Sequence, residues 1–329
     1  MSRPMPSMEA DFRKAEGREE AVMYVLPTSG GPAQKIHASA MLLLPSAAMA
    51  WAGWRALTGD ADLVDWSLAV SLYVATMLGI TVGFHRLFAH RAFRAHWLLK
   101  VVLLALGSMA AQGPPIYWVA NHRRHHRFSD DAGDPHSPID ESVPGKVSWR
   151  SFWHAHSGWM FGHKLSNTAA LTKDLIRDPM VVAVNRSYYA WVILGLAIPA
   201  LLGSLLIGGA GGALEGLAWG GGVRLFISYH LTSCINSVTH SFGYRTYATP
   251  DFSRNNAWIG AATLGEAWHN NHHACASSAK FGHSWWELDP GWIFIRLMEA
   301  IGAARDVQRP SARVIDRTGR TEKTRGTGT

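Results

Sequence analysis

Residues 66–90 read WSLAVSLYVATMLGITVGFHRLFAH. Positions 66–84 carry no charged side chain, and about twenty such residues make a helix that crosses a ~30 Å hydrocarbon layer. The stretch ends in His85 and His90, so this helix delivers two imidazoles to the membrane surface. Comparable apolar blocks at 38–54, 188–207 and 217–238 predict three further spans. The expected fold is an all-α integral membrane protein of four transmembrane helices in two hairpins, with the histidines in a cap beyond the spans. The second hairpin also ends in a histidine, His240, and each hairpin is followed downstream by an HxxHH cluster.

The chain has 329 residues, 48% of them hydrophobic, and a formal net charge of +7. That charge sits in the histidine-bearing loops and the tails, not in a stripe, so a nucleic-acid partner is not expected. The connection 55–65 carries Asp60, Asp62 and Asp65, and 208–216 has Glu215 and no Lys or Arg. By the positive-inside rule both connections lie outside, with both termini and the histidines on the cytoplasmic side. Residues 1–36 read as a polar cytosolic tail with no cleavable leader, 37–304 as one membrane domain, and 305–329 as a disordered polar tail. Segment 97–112 is apolar enough to suggest a fifth span. Crossing there would put His85 and His90 opposite His122, so it is expected to be interfacial or re-entrant, as are 256–268 and 291–303. Cys234 and Cys275 lack a CxxC spacing, which excludes a thiolate metal site of that kind.

The chemistry is concentrated in His85-Arg-Leu-Phe-Ala-His90, His122-Arg-Arg-His125-His126 and His269-Asn-Asn-His272-His273. On a helix, positions i, i+3 and i+4 share a face, so each HxxHH aims three imidazoles at one place. Two such triplets and further histidines exceed one four-coordinate zinc and suit two metals. The i, i+5 spacing of His85 and His90 puts the rings about 140° apart on an ideal helix. Either the helix ends or unwinds there, or the rings flank a pair of metals; the second is the expectation. Asn236 and His240, at i and i+4, share a face, a spacing that by itself more often marks a hydrogen-bonded core or interfacial histidine than a ligand. Glu266 is placed to accept the outward N–H of a ligand imidazole. Asp130, Asp131 and Asp134 are similar candidates, each expected to be solvated rather than to hold a histidine. His37, His96, His136, His154, His156, His163, His230 and His283 are expected to be ordinary packed or surface histidines. Arg224 lies within a span and needs an unnamed partner. Trp149, Trp153 and Trp159 follow the second cluster and are candidates for an acyl channel wall.

At these residues the chain resembles the membrane fatty acid desaturases of the stearoyl-CoA type. HRLFAH, HRRHH and GEAWHNNHH match that family's three histidine boxes in order and spacing, NSVTH its extra ligand segment, and DPHSP and HSGW extend the likeness over roughly 40–290. The resemblance implies a four-helix stem under a cytosolic helical cap that holds two irons. It implies as ligands His85, His90, His122, His125, His126, His240, His269, His272 and His273, with Asn236 acting through water. It further implies an O2-dependent oxidoreductase that introduces a cis double bond, at delta-9, into a long saturated acyl chain, in a bacterial inner membrane. Two electrons must come from an external small redox protein, because the chain shows no haem or flavin domain of its own. Ala120 stands where the animal acyl-CoA enzymes carry a basic residue, which leaves CoA, lipid and carrier-protein forms of the substrate open. Tyr73, twelve residues before His85 and roughly 18 Å down the helix, is a candidate floor for the acyl channel. Rival readings are a hydroxylase on a related scaffold and a divalent-metal transporter, the latter disfavoured because its ligands would lie near the bilayer midplane.

Overall fold

The structure, a computed structural model, describes residues 23–310 except 30, 141, 142, 144 and 163. The expectations for 1–22, for 311–329 and for His163 lie outside the described residues. The fold is mostly helical. Among the described residues three helices are long and apolar enough to cross a membrane: α1 (Gly31–Thr58), α2 (Leu63–Ala89) and a 50-residue run, Tyr188–Ser237.

That last run is not straight. Gly208 and Gly209 adopt φ of 111° and 59°, a region open to glycine and strained for other residues. Beyond them the chain doubles back, so that Gly203 lies against the backbone of Gly212 and Gly216, with no room for a side chain at any of the three. The run therefore consists of two arms, 188–208 and 209–237, packed through glycine. The loop expected over 208–216 is instead helix from Gly209 onward. Close backbone approach through small residues is how helices associate where no hydrophobic driving force separates them from lipid.

Local chemistry sets the boundaries. Asp62 caps α2 by accepting from the Asp65 amide at 3.0 Å, while the Asp65 carboxylate accepts from the Asp62 amide at 3.2 Å. Helix α3 (Trp97–Met109) has thirteen residues, about 20 Å, too short to cross. It ends where Ala111 and Gly113 take positive φ, and it packs on α2 so tightly that Gly79 and Gly107 leave no space for a Cβ. Helix α4 (Pro115–Phe128) starts with proline at its first position, where a missing amide is harmless. Helix α5 (Trp149–His156), the short helix α6 (His269–Ala274) and α7 (Pro290–Ala300) complete the cap.

Two small antiparallel pairs tie the cap together: β1 (Val25–Ser29) with β3 (Lys164–Ser166), and β2 (Arg94–Ala95) with β4 (Ala304–Arg305). Within the stretch expected as tail, residues 25–29 are strand and α1 begins at Gly31. The Gln308 amide donates to the Ala92 carbonyl and the Ala279 amide to the Gln308 carbonyl, so residue 308 is hydrogen-bonded to the segment that follows His90.

Arg224 finds its partners in backbone. Fully buried, it donates to the carbonyls of Gly220 at 2.7 Å, Met109 at 2.8 Å and Gly195 at 3.0 Å. One cation thereby links α3 to both glycine-packed arms.

Candidate metal centre

Segment Gly79–Ala89 at the end of α2 is π-helical, with i→i+5 hydrogen bonds. In that geometry five residues make about one turn, and the His90 amide donates to the His85 carbonyl at 3.1 Å. Both rings consequently face the same way, 4.9 Å apart between centroids. The expectation that they flank a metal pair is corrected: the helix changes its winding, and the two rings share one cluster.

Helix α4 contributes His122, His125 and His126, α6 contributes His269, His272 and His273, and the turn after residue 237 contributes His240. The nine fall into two groups whose candidate ligand atoms all lie within 4.8 Å of one another: His85, His90, His122, His126 and His272 in one, His125, His240, His269 and His273 in the other. Each HxxHH is split between them. The groups adjoin, with the His126 and His273 rings 4.4 Å apart.

Within the five-histidine group Nε2 atoms face one another, His90 to His122 at 2.7 Å, His126 to His272 at 2.8 Å and His85 to His272 at 3.1 Å. In the four-histidine group His240 and His269 do so at 2.9 Å, and the buried Nε2 atoms of His125 and His273 have no hydrogen-bond partner among the described residues. The opposite ring nitrogens explain the orientation. Nδ1 of His125 bonds Asp134 at 2.9 Å, that of His240 bonds Asp130 at 2.7 Å, that of His273 bonds Asp251 at 2.7 Å, and that of His85 pairs with Glu266. A carboxylate on Nδ1 holds the proton there and leaves the Nε2 lone pair aimed inward. Asp130 and Asp134 are thus buried partners of histidine, not solvated; Asp131 is exposed. Glu266 serves His85, from the far box, and not the neighbouring His269.

Burial, and then the mutual repulsion of neighbouring imidazoles, pushes His90, His122, His126, His269 and His272 well below the ordinary histidine range. Burial brings His273 down to about 4 against the pull of Asp251. His125 moves the other way: burial lowers it, but the Asp134 carboxylate on its Nδ1, together with Asp130 and Asp251 nearby, raises it by more. Most of these rings are therefore neutral near pH 7, the state that binds metal. Partnerless inward nitrogens, neutral rings and carboxylate-backed imidazoles fit a pair of metal ions.

A cavity of about 350 Å³ opens beside His122. Trp118, stacked on the His122 ring at 5.3 Å, lines it with Tyr117, Tyr188, Tyr229 and Trp159. Asn236 lines it as well. Of the channel candidates only Trp159 does so. Trp149 and Trp153 stack on each other on the outer side of α5, at 78% and 46% exposure, and the Tyr73 hydroxyl donates to the Ala262 carbonyl. The structure thus places Tyr73, Trp149 and Trp153 away from this cavity. His156 and His230 make the ordinary hydrogen-bonded contact expected of them, Nε2 to Nδ1 at 3.0 Å. Asp251 was not found by sequence reasoning. It lies 22 residues from His273, at no helical spacing, and is fixed locally by the Ser253 and Thr249 hydroxyls.

The sequence profile of the fatty acid desaturase family matches residues 64–304. The chain is 43% identical over 257 residues to the hex-5-enoyl-[acyl-carrier protein] acetylenase of Moorena producens, which covers 77% of this chain and 79% of that one. It is 36% identical over 275 residues to the sn-1 stearoyl-lipid 9-desaturase of Anabaena variabilis, covering 83% and 90%. It is 37% identical over 268 residues to the chloroplastic palmitoyl-monogalactosyldiacylglycerol delta-7 desaturase of Arabidopsis thaliana, covering 78% of this chain and 63% of that one. With these likenesses, its apolar helices and its paired histidine clusters, the chain belongs to the fatty acid desaturase family and is an oxidoreductase.

Proposed function

We propose that the protein is an integral-membrane, O2-dependent desaturase that introduces a cis double bond, at delta-9, into a long saturated acyl chain, using two irons held by the nine histidines. The observation that carries this reading is the meeting of two histidine clusters with an aromatic-lined cavity at the ends of apolar helices. His85, His90, His122, His126 and His272 would hold one iron, and His125, His240, His269 and His273 the other, with Asn236 contributing through water. Bound iron supplies, with O2, the oxidising power to remove two hydrogens from unactivated methylenes. The overall change is balanced when O2 takes the two hydrogens together with two electrons and two protons and leaves as two waters, the electrons coming from a small redox protein.

The rest is positioning by this chain. Trp118 sets the cavity wall against the His122 ring, and Tyr188, hydrogen-bonded to the Gly113 amide at 3.0 Å, holds the turn that closes it. An apolar, aromatic wall excludes water and fixes which methylenes stand nearest the clusters. Among the described residues, those that line the cavity include no Lys or Arg, and Ala120 is buried, so none of these offers a cation to the phosphates of CoA. We read the substrate as an acyl lipid, the class named in two of the relatives above. We further read the two arms of Tyr188–Ser237 as separate crossings, which makes four spans with the clusters on the cytoplasmic side.

Expression in a desaturase-deficient host, with the new double bonds located by mass spectrometry, tests this. Monounsaturated lipid is expected from the wild type. The His240→Ala variant should yield none while remaining in the membrane fraction with about one iron in place of two. The likeness to the acetylenase favours one alternative, a second desaturation giving a triple bond, which the same spectra report. Hydroxylated product, or active protein filled with zinc, would overturn the proposal.

A further inference from the structure

The carboxylates behind the histidines are shared unequally. Three of the four rings in the group His125, His240, His269 and His273 donate Nδ1–H to a buried aspartate, Asp134, Asp130 and Asp251. In the group of five, among the described residues, only His85 is backed by an acid, Glu266. That acid is moderated further. Thr81 donates to it, and the Arg86 guanidinium, 0% exposed, stands 3.6 Å away. Arg86 is locked in place by Asp289 at 2.9 Å, by the Ala279 carbonyl at 3.1 Å and by the Phe281 ring 3.9 Å beneath it.

Other charges near the clusters do not reverse this. Arg123, beside His90, is held by a two-pronged pair with Asp174 at 2.7 and 2.9 Å. Arg124 spends its hydrogen bonds on the carbonyls of Gly133 at 2.6 Å and Lys164 at 2.8 Å, and Asp134 is shared by His125, its local amides and the more distant His136 Nδ1 at 3.6 Å.

A carboxylate on the outer nitrogen makes an imidazole a stronger donor and adds negative charge near the ion, and losing one such partner typically weakens metal affinity about 10- to 100-fold. We infer that the two metal positions are inequivalent: the four-histidine position binds its iron more tightly and keeps it oxidised, whereas the five-histidine position, with Arg86 behind its single acid, releases iron first and accepts the first electron. The inference rests on the proposal that both clusters hold iron.

The test uses purified protein loaded with 57Fe. Under anaerobic reducing conditions ferrozine should remove two irons per chain in two equal phases, with rates at least tenfold apart. One electron equivalent added to the oxidised protein should convert one of two Mössbauer doublets and leave the other. Glu266→Gln should accelerate the fast phase alone and Asp251→Asn the slow phase alone. A single release phase for two irons, a single doublet, or Asp251→Asn acting on the fast phase would overturn the inference. Protein that retains one iron or none would overturn the proposed function itself. The wild-type measurements stand even if a variant does not fold.

Discussion

At the scale of single residues, the cluster is built from histidines that must stay neutral. The unfolded chain takes up protons on histidine near pH 6.5. The folded, metal-free protein resists until far lower pH at His90, His122, His126, His269 and His272, and until about 4 at His273. Between those values the unfolded state binds more protons, so stability falls as pH falls, by about 1.4 kcal/mol per pH unit for each excess proton. His125 opposes this, since its affinity for a proton is raised on folding, but it is one ring against six. Metal-stripped protein should lose melting temperature steadily from pH 7 to pH 5, with no compensating gain. A flat or rising profile measured by thermal melting in detergent would contradict the neutral, buried rings.

At the scale of elements, glycine and winding decide what the histidines can reach. The α2–α3 crossing needs Gly79 and Gly107 together, and a Cβ at Gly107 would meet the Phe84 ring, one residue before His85, as well as the Gly79 carbonyl. Overpacking of this kind costs about 1–3 kcal/mol even where side chains can yield, and here part of the obstacle is backbone. Gly107→Leu should therefore lower stability by at least that much and displace the π-helical segment that brings His85 and His90 together. Protein of normal melting temperature and full iron content in Gly107→Leu would show that the crossing does not position the site.

For the whole molecule the question is which side each part faces. Single cysteines at residues 60 and 212 are expected to react with an impermeant reagent from outside, and those at 10, 140 and 320 only after the cytoplasmic side is opened. A label at 212 that reports the cytoplasmic side would mean that the arms 188–208 and 209–237 do not each cross, and the four-span reading would fail. Labels on opposite sides at 90 and 122 would be incompatible with the cluster itself, where those two Nε2 atoms are 2.7 Å apart.

The sequence by itself determined the helical class, the apolar blocks and the two HxxHH triplets, because these depend on local properties: hydropathy over about twenty residues and spacing within one turn of helix; His240 joined the set of nine through the family resemblance, not through its spacing. Tertiary structure alone decided how the histidines divide. Neither HxxHH serves a single group; the five-and-four partition follows from where α2, α4 and α6 cross, which no spacing records. The same holds for Asp251 behind His273, Glu266 behind His85 and the carbonyl cage of Arg224, whose partners are 22, 181 and up to 115 residues away. The i, i+5 pair shows the limit most plainly, since the spacing was visible but its meaning turned on a π-helical winding stabilised by the packing of α3. Tyr73, Trp149 and Trp153 mark it as well: aromatic character was legible, whereas which face meets the cavity depends on neighbours contributed by distant parts of the chain.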